Sequence, residues 1–173
     1  MQSRELVLQQ NNTVSTTREI LYAIWGVALA VLFPVVFHFF QLGSTFLPMF
    51  VPVLTAALAV SPFTAFIIGA VSPFVSFAAT GMPTIVPPVA AVMAVELSLI
   101  AALTSVLSHH TRWSPWLIIP FVMLFDRIGM ALFVRIATPG FMTLAAISAG
   151  FPGVILQIAL VPILGKWLLR HEK

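Results

Sequence analysis

Apolar stretches long enough to cross a bilayer follow one another along the chain, with only short polar or proline-rich connections between them. A bilayer core of about 30 Å requires about 20 mostly apolar residues per helical span, so a chain of 173 residues accommodates about five or six spans. The composition, 60% hydrophobic and 8% charged, is far from that of a soluble domain. We therefore expect an all-α membrane protein, a bundle of six transmembrane helices.

Residues 1–18 form a polar arm, which we expect to fray or to lie at the membrane interface because it has little apolar surface to bury. A single transmembrane helical domain then covers residues 19–170. The second and third predicted spans are short and contain prolines, which interrupt a helix. These two segments could instead form a re-entrant pair. The polar stretch 108–115 is predicted to be a loop. The six predicted spans cover residues 19–40, 46–60, 62–79, 89–107, 116–136 and 141–169.

The basic residues indicate how the bundle is oriented. Six spans place both termini on one side, and the positive-inside rule predicts that this side is cytoplasmic. Arg135 alone is expected near the outer face. The net charge of +3 is thus explained by orientation rather than by nucleic-acid binding. The basic residues expected on the inner side are Arg4, Arg18, Arg112, Lys166, Arg170 and Lys173.

Several chemistries lack the residues that they need. The chain has no cysteine, no Walker-type phosphate loop and no G-x-S-x-G motif. An intramembrane aspartyl protease needs two carboxylates in a recognisable motif, and the spans offer one Asp and one Glu without it. We predict no catalysis, no cofactor and no metal site, and any energy for transport must come from a partner or a gradient.

Three ionisable residues lie in the interior of predicted spans, away from the span ends: Glu96 in the fourth, and Asp126 and Arg127 in the fifth. Each costs a few kcal/mol at the bilayer centre unless it is paired or hydrated. Glu96 and Arg127 lie at comparable depth, so an ion pair between them is expected, either as a structural clasp or in contact with a ligand. Asp126 and Arg127 are adjacent and diverge by about 100°, so at most one should point straight into the same cavity.

Other polar residues have two interpretations each. His38 near the outer end of the first span is either an interfacial hydrogen-bonding residue or a ligand contact, and Gln157 either links helices or binds ligand. His109 and His110 make a poor metal site and are expected to be solvated in a loop. Gly26-x-x-x-Ala30 forms a small-residue groove that suits internal packing and partner docking equally.

The chain resembles the S components of energy-coupling factor (ECF) transporters, the small membrane subunits that bind vitamins. The L-P-M-x-x-P-V and T-G-M-P elements are the most specific parts of the resemblance. The matching stretches are PVVFH (34–38), FLPMFVPVL (46–54), SPFVSFAATGMPTIVPP (72–88), AVELS (94–98), DRIG (126–129) and FPGVILQIALVPIL (151–164).

The resemblance implies a substrate-binding subunit of an ABC-type importer in a bacterial or archaeal cytoplasmic membrane. It implies capture of a vitamin-like solute at the outer face, and docking through Gly26 and Ala30 onto a T component that joins two ATP-binding subunits. The alternative is an autonomous secondary transporter or channel that works as a homo-oligomer. Arg135 could attract an anionic ligand or reach lipid phosphates. The residues expected to build the pocket are His38, Gln41, Met82, Glu96, Arg127 and Arg135.

Overall fold

The computed structural model describes residues 2–40, 46–86, 88–137 and 150–170, without the side chains of residues 2–15, 38, 133–137 and 170. Within these ranges the regular structure consists of six helices, which confirms the predicted all-helical bundle. The helices are α1 Gln2–Phe39, α2 Phe50–Ala57, α3 Pro62–Thr80, α4 Val89–His110, α5 Pro115–Ala137 and α6 Phe151–Arg170.

Five of these helices are long and apolar enough to span a membrane, and α2, with eight residues, is not. The surface of the bundle is lined with large apolar side chains, whereas buried serine and threonine hydroxyls donate to backbone carbonyls inside it. This distribution of polarity fits lipid as the surrounding solvent. The chain is a multi-pass membrane protein.

Although α2 is short, the segment that contains it passes from one end of the bundle to the other. The ring of Phe46 lies against that of Phe37, with centroids 5.8 Å apart, near the end of α1. The backbone N–H of Ser61 donates to Glu19, with an N···O distance of 2.6 Å. Glu19 and Phe37 are about 27 Å apart along α1. The alternative of a re-entrant pair is therefore wrong, because its turn would lie within the bundle, whereas Ser61, between α2 and α3, lies at the Glu19 end.

The short α2 lies at the centre of the bundle. It contacts α1, α3, α4 and α6, while α5 packs between α4 and α6. Seven of its eight residues are buried. Its end is fixed by hydroxyl groups of α4: Ser105 Oγ donates to the Val60 carbonyl at 2.6 Å, and Ser108 Oγ donates to the Leu58 carbonyl at 2.9 Å. The spanning helices are thereby held around one central segment.

A close contact between helices joins α3 and α4 at Gly69. A Cβ atom at this position would lie 2.5 Å from the carbonyl oxygen of Leu97, so the two backbones touch where only a hydrogen atom fits. At its start, α3 has Pro62 in the first turn and Ser61 as N-cap. It ends at Gly81, whose φ of 76° requires a glycine-like conformation. The contact at Gly69 and the two defined ends of α3 together fix the position of α4 along the axis of α3.

Two helices extend beyond their predicted ends. The backbone is helical from Gln2, so the expected frayed arm continues α1 instead. Residues 2–17 contain no Gly or Pro, and adding a turn to an existing helix costs far less than starting one. Likewise α4 continues through His110, which the sequence placed in a loop. Residues 141–149 of the sixth predicted span lie outside the described residues.

Candidate functional site

A cluster of three charged side chains joins α4 to α5 inside the bundle, and we call Glu96, Asp126 and Arg127 the charge cluster. Arg127 Nη2 donates to Glu96 Oε1 at 3.1 Å, which confirms the predicted ion pair. Arg127 Nε donates to Asp126 Oδ2 at 2.8 Å, and Nη2 donates to the same oxygen. One guanidinium therefore serves both carboxylates.

In the charge cluster Asp126 is buried and Glu96 and Arg127 are partly buried, and all three lie well inside their helices. Side-chain exposure is 14% for Arg127, 9% for Glu96 and 1% for Asp126. Glu96 lies about 10 Å along α4 from its first residue, and Arg127 lies about 18 Å along α5 from its first residue. Removing such groups from water is expensive, and charge pairing offsets only part of the cost. The three charged side chains of the cluster therefore lie at one depth in the bundle.

Asp126 and Arg127 contact each other although they are adjacent along α5. Their adjacent positions predicted directions about 100° apart, with at most one residue in a shared site. In the structure the long Arg127 side chain turns back along α5, and its guanidinium contacts its neighbour. Asp126 is therefore part of the site, although it was not among the expected pocket residues. The sequence did indicate Asp126, because a carboxylate within a predicted span requires a partner.

Two buried side-chain atoms have no hydrogen-bond partner among the described residues: Asp126 Oδ1 and Gln157 Oε1. Both are acceptors. The amide of Gln157 otherwise links α6 to the segment before α2, because Nε2 donates to the Leu47 carbonyl at 3.3 Å. Leaving such an atom buried and unpaired costs about 1–3 kcal/mol. These two oxygen atoms can therefore accept a hydrogen bond from an N–H or O–H group.

Met82 lies away from the charge cluster, at the connection between α3 and α4. Its carbonyl accepts a hydrogen bond from the buried Ser76 hydroxyl at 2.8 Å, and the residue is 47% exposed. It follows Gly81, which is about 18 Å along α3 from the crossing at Gly69. Met82 and the charge cluster therefore do not form one contiguous set of contacts.

Three other expected pocket residues cannot be placed by their side chains. His38 belongs to α1 and Arg135 to α5, each near the end of its helix, and only their backbones are described. Gln41 lies outside the described residues. Their roles in binding remain predictions.

The small-residue groove of α1 faces the interior of the bundle. A Cβ at Gly26 would lie 2.9 Å from Ala56 Cβ on α2 and 3.6 Å from Ile68 on α3, and Ala30 is fully buried. The structure thus assigns the groove to internal packing, which is one of the two alternatives. The exposed side of α1 presents Trp25 instead, with 63% of its surface accessible.

A second polar network closes the end of the bundle where α1 enters. The Glu19 carboxylate accepts from the Ser61 backbone N–H at 2.6 Å and from the Thr64 hydroxyl at 3.0 Å. It thereby ties α1 to the first turn of α3. At the same end His109 Nδ1 lies 2.9 Å from the Ser105 carbonyl within α4. We interpret this network as structural, since each acceptor in it receives its hydrogen bond from the protein itself.

Among the described residues there is no group of three or more His, Cys, Asp and Glu side chains that could hold a metal ion. The charge cluster has two carboxylates, and each gives one oxygen to Arg127. What the cluster can do is bind a polar or charged group from a solute in a medium of low dielectric constant.

Comparisons of the whole chain with protein-family models, with curated proteins and with solved structures give no match. The resemblance to S components rests on the motifs alone, and the charge cluster is the feature of the structure from which function is argued.

Proposed function

We propose that the protein captures a small polar solute within the membrane and acts as the substrate-binding subunit of an ECF-type importer. The charge cluster is the observation that carries the proposal. Intramembrane ionisable residues are expensive, and where they occur they line solute pathways or pair with one another. Here pairing within the protein leaves Asp126 Oδ1 buried without a partner, so a donor from outside the protein would complete the site.

The breaks between helices support solute entry from one end. The described parts of the connections from α1 to α2 and from α3 to α4, residues 46–49, 81–86 and 88, lie at the end of the bundle away from Glu19. Interrupted helices at one end supply free backbone groups for a ligand. The opposite end is tied by Glu19, Ser105 and Ser108 to the chain around α2 and α3. In the proposal, solute enters at the first end, which faces outward, and both termini are cytoplasmic.

The assignment to an ECF importer comes from the motifs and needs partners for energy. The proposed complex has a T component and two ATP-binding subunits, and the protein itself carries out no reaction. Because Gly26 and Ala30 are buried in the bundle, docking through them would require α1 to move away from α2. The exposed face of α1 is the alternative surface for docking.

A second candidate, an autonomous secondary transporter, is favoured by one observation. Two carboxylates share one guanidinium, and intramembrane carboxylates of this kind carry protons in pumps and transporters. In that case solute transport would be driven by a proton gradient, and no ATPase would be needed.

Uptake measurements separate the two candidates. We expect accumulation of solute in cells that express the chain with a T component and its paired ATPases, and loss of accumulation when an ATPase is inactivated. Uptake into liposomes that contain the purified chain alone, driven by a pH gradient, would instead support the autonomous transporter.

Mass spectrometry of a solute carried through purification identifies the substrate directly. We expect Asp126→Asn to lose this solute, because it removes the charge of the carboxylate whose Oδ1 is unpaired, while the purified variant keeps its helical content and its elution volume. Gly129→Ala is the matched control, because Gly129 lies on the same helix and a Cβ there meets nothing within 4 Å. Equal amounts of solute bound to wild type and Asp126→Asn would remove the charge cluster from the binding site.

A further inference from the structure

The charge cluster holds more acidic than basic groups. Glu96 and Asp126 each accept a hydrogen bond from Arg127 Nη2, so the two carboxyl groups are neighbours around one nitrogen atom. With both carboxyl groups ionised, the cluster carries one net negative charge. An uncompensated charge at this depth is costly, so the cluster is neutralised either by a bound proton or by a further positively charged group.

No described side chain on the neighbouring helices supplies that charge. The helix that packs on α4, α3, has no ionisable residue between Pro62 and Thr80, and α2 has none either. On α5, Arg135 lies about 12 Å beyond Arg127 along the helix, and its side chain is not described. The other Arg, Lys, His, Asp and Glu residues of the helices and of the connection between α4 and α5 lie toward helix ends, at the start of the spanning part of α1 or in that connection: Arg4, Glu5, Arg18, Glu19, His38, His109, His110, Arg112, Lys166 and Arg170.

The unpaired atoms indicate the chemistry of the missing group. Asp126 Oδ1 is buried and receives no hydrogen bond from the described residues, and Gln157 Oε1 on the adjacent α6 is in the same state. Both are acceptors, so the interior lacks donors rather than acceptors. A positively charged group with N–H bonds supplies the charge and the donor together.

A metal ion fits the cluster less well. Magnesium and calcium take about six or more oxygen ligands. The cluster has two carboxylates, and one oxygen of each is already bonded to Arg127. An ammonium-type nitrogen needs only one or two acceptors from the protein, because it can keep its other hydrogen bonds to water or within the solute.

We propose that the charge cluster binds the cationic N–H group of a basic solute, and that the Glu96–Asp126 carboxyl pair holds one proton when the solute is absent. This inference rests on the proposed function and names its substrate class. In the empty state one carboxylic acid, one carboxylate and the Arg127 guanidinium sum to zero charge. When the cation binds, the carboxyl O–H bond breaks and the proton leaves to water, so the sum is again zero.

Calorimetric titration of the purified full-length chain in detergent tests the exchange. The probe is propylammonium chloride, compared with propanol and with sodium propionate at equal ionic strength. We expect saturable binding of propylammonium alone, with about one proton released per probe bound, as measured from the heats in two buffers of different protonation enthalpy. Asp126→Asn and Glu96→Gln should each weaken the binding about tenfold or more and abolish the proton release.

Two variants guard against a trivial loss of folding. Glu96→Asp keeps the acid and should keep the proton release, whereas Gly129→Ala on the same helix as Asp126 should behave like wild type in every titration. Only variants with the wild-type elution volume and helical content are compared. Retention of propylammonium binding and proton release in both folded Asp126→Asn and Glu96→Gln would overturn the assignment.

Other outcomes also overturn it. Saturable binding of propionate in place of propylammonium would assign an anionic ligand, and sodium-dependent binding without an organic cation would assign a sodium site. Proton release that depends on Glu96 but occurs only on titration with alkali, with no probe binding, would mean a proton site without exchange. An acidic solute identified by mass spectrometry would refute this inference and leave the proposed capture function intact, whereas propylammonium binding without any uptake would refute the importer alone.

Discussion

Replacing Arg127 by methionine removes the only described positive charge of the charge cluster while keeping an apolar side chain of similar length. Three hydrogen bonds to carboxylates are lost, and the carboxylates left behind have side-chain exposures of 9% and 1%. Removing one partner of a buried ion pair costs about 3–5 kcal/mol, because the remaining charge is left uncompensated. We expect Arg127→Met to lower the free energy of unfolding by about this amount.

The measurement is reversible unfolding in mixed micelles, followed by tryptophan fluorescence at matched detergent composition. Lys166→Met is the control: Lys166 is exposed and lies 5.9 Å from the centre of the Trp116 ring, so its loss should cost below about 1 kcal/mol. Adding Glu96→Gln and Asp126→Asn to Arg127→Met should restore most of the lost stability, because no buried charge remains. A cost for Arg127→Met no larger than that of the control, or the absence of rescue, would contradict the reasoning.

Three further variants test the packing and the fastenings by the same unfolding measurement. Gly69→Ala should lower the free energy of unfolding by about 1–3 kcal/mol, because its Cβ meets the Leu97 carbonyl. The control Gly129→Ala, with open space around it, should be neutral or slightly stabilising. Equal effects of the two variants would refute the close contact. Ser105→Ala should cost about 1–3 kcal/mol by leaving the Val60 carbonyl without its 2.6 Å donor, and an unchanged stability would mean that the bond is dispensable. Glu19→Gln should cost about 1 kcal/mol through its weaker hydrogen bond from the Ser61 N–H, and no loss would argue against this fastening.

Much of the fold could be predicted because lipid imposes simple length and polarity rules. The first, third, fourth and fifth predicted spans contain the spanning parts of α1, α3, α4 and α5 to within a few residues. The pairing of Glu96 with Arg127 could also be predicted, since counting residues from the span ends gives their depth. Depth alone is sufficient when few ionisable residues are available within the spans.

The segment around α2 could not be predicted, because its sequence lacks a periodic signal. It is apolar on all sides and contains Pro48 and Pro52, which is compatible with a full span, a re-entrant turn or a short buried helix. Only tertiary contacts distinguish these, through Phe37 at one end and Glu19 at the other. For the same reason the sequence could not decide which helices Gly26 would meet.

The composition of the charge cluster bears on whether it is a clasp or a binding site. A clasp between α4 and α5 needs only Glu96 and Arg127, which lie on different helices. Asp126 is next to Arg127 on the same helix, so its bond to the guanidinium adds no link between helices, yet its desolvation adds a cost. It also brings a second negative charge against one positive charge and leaves Oδ1 unpaired. A purely structural role explains the first carboxylate and leaves the second unexplained, whereas a site that receives a positive donor requires both.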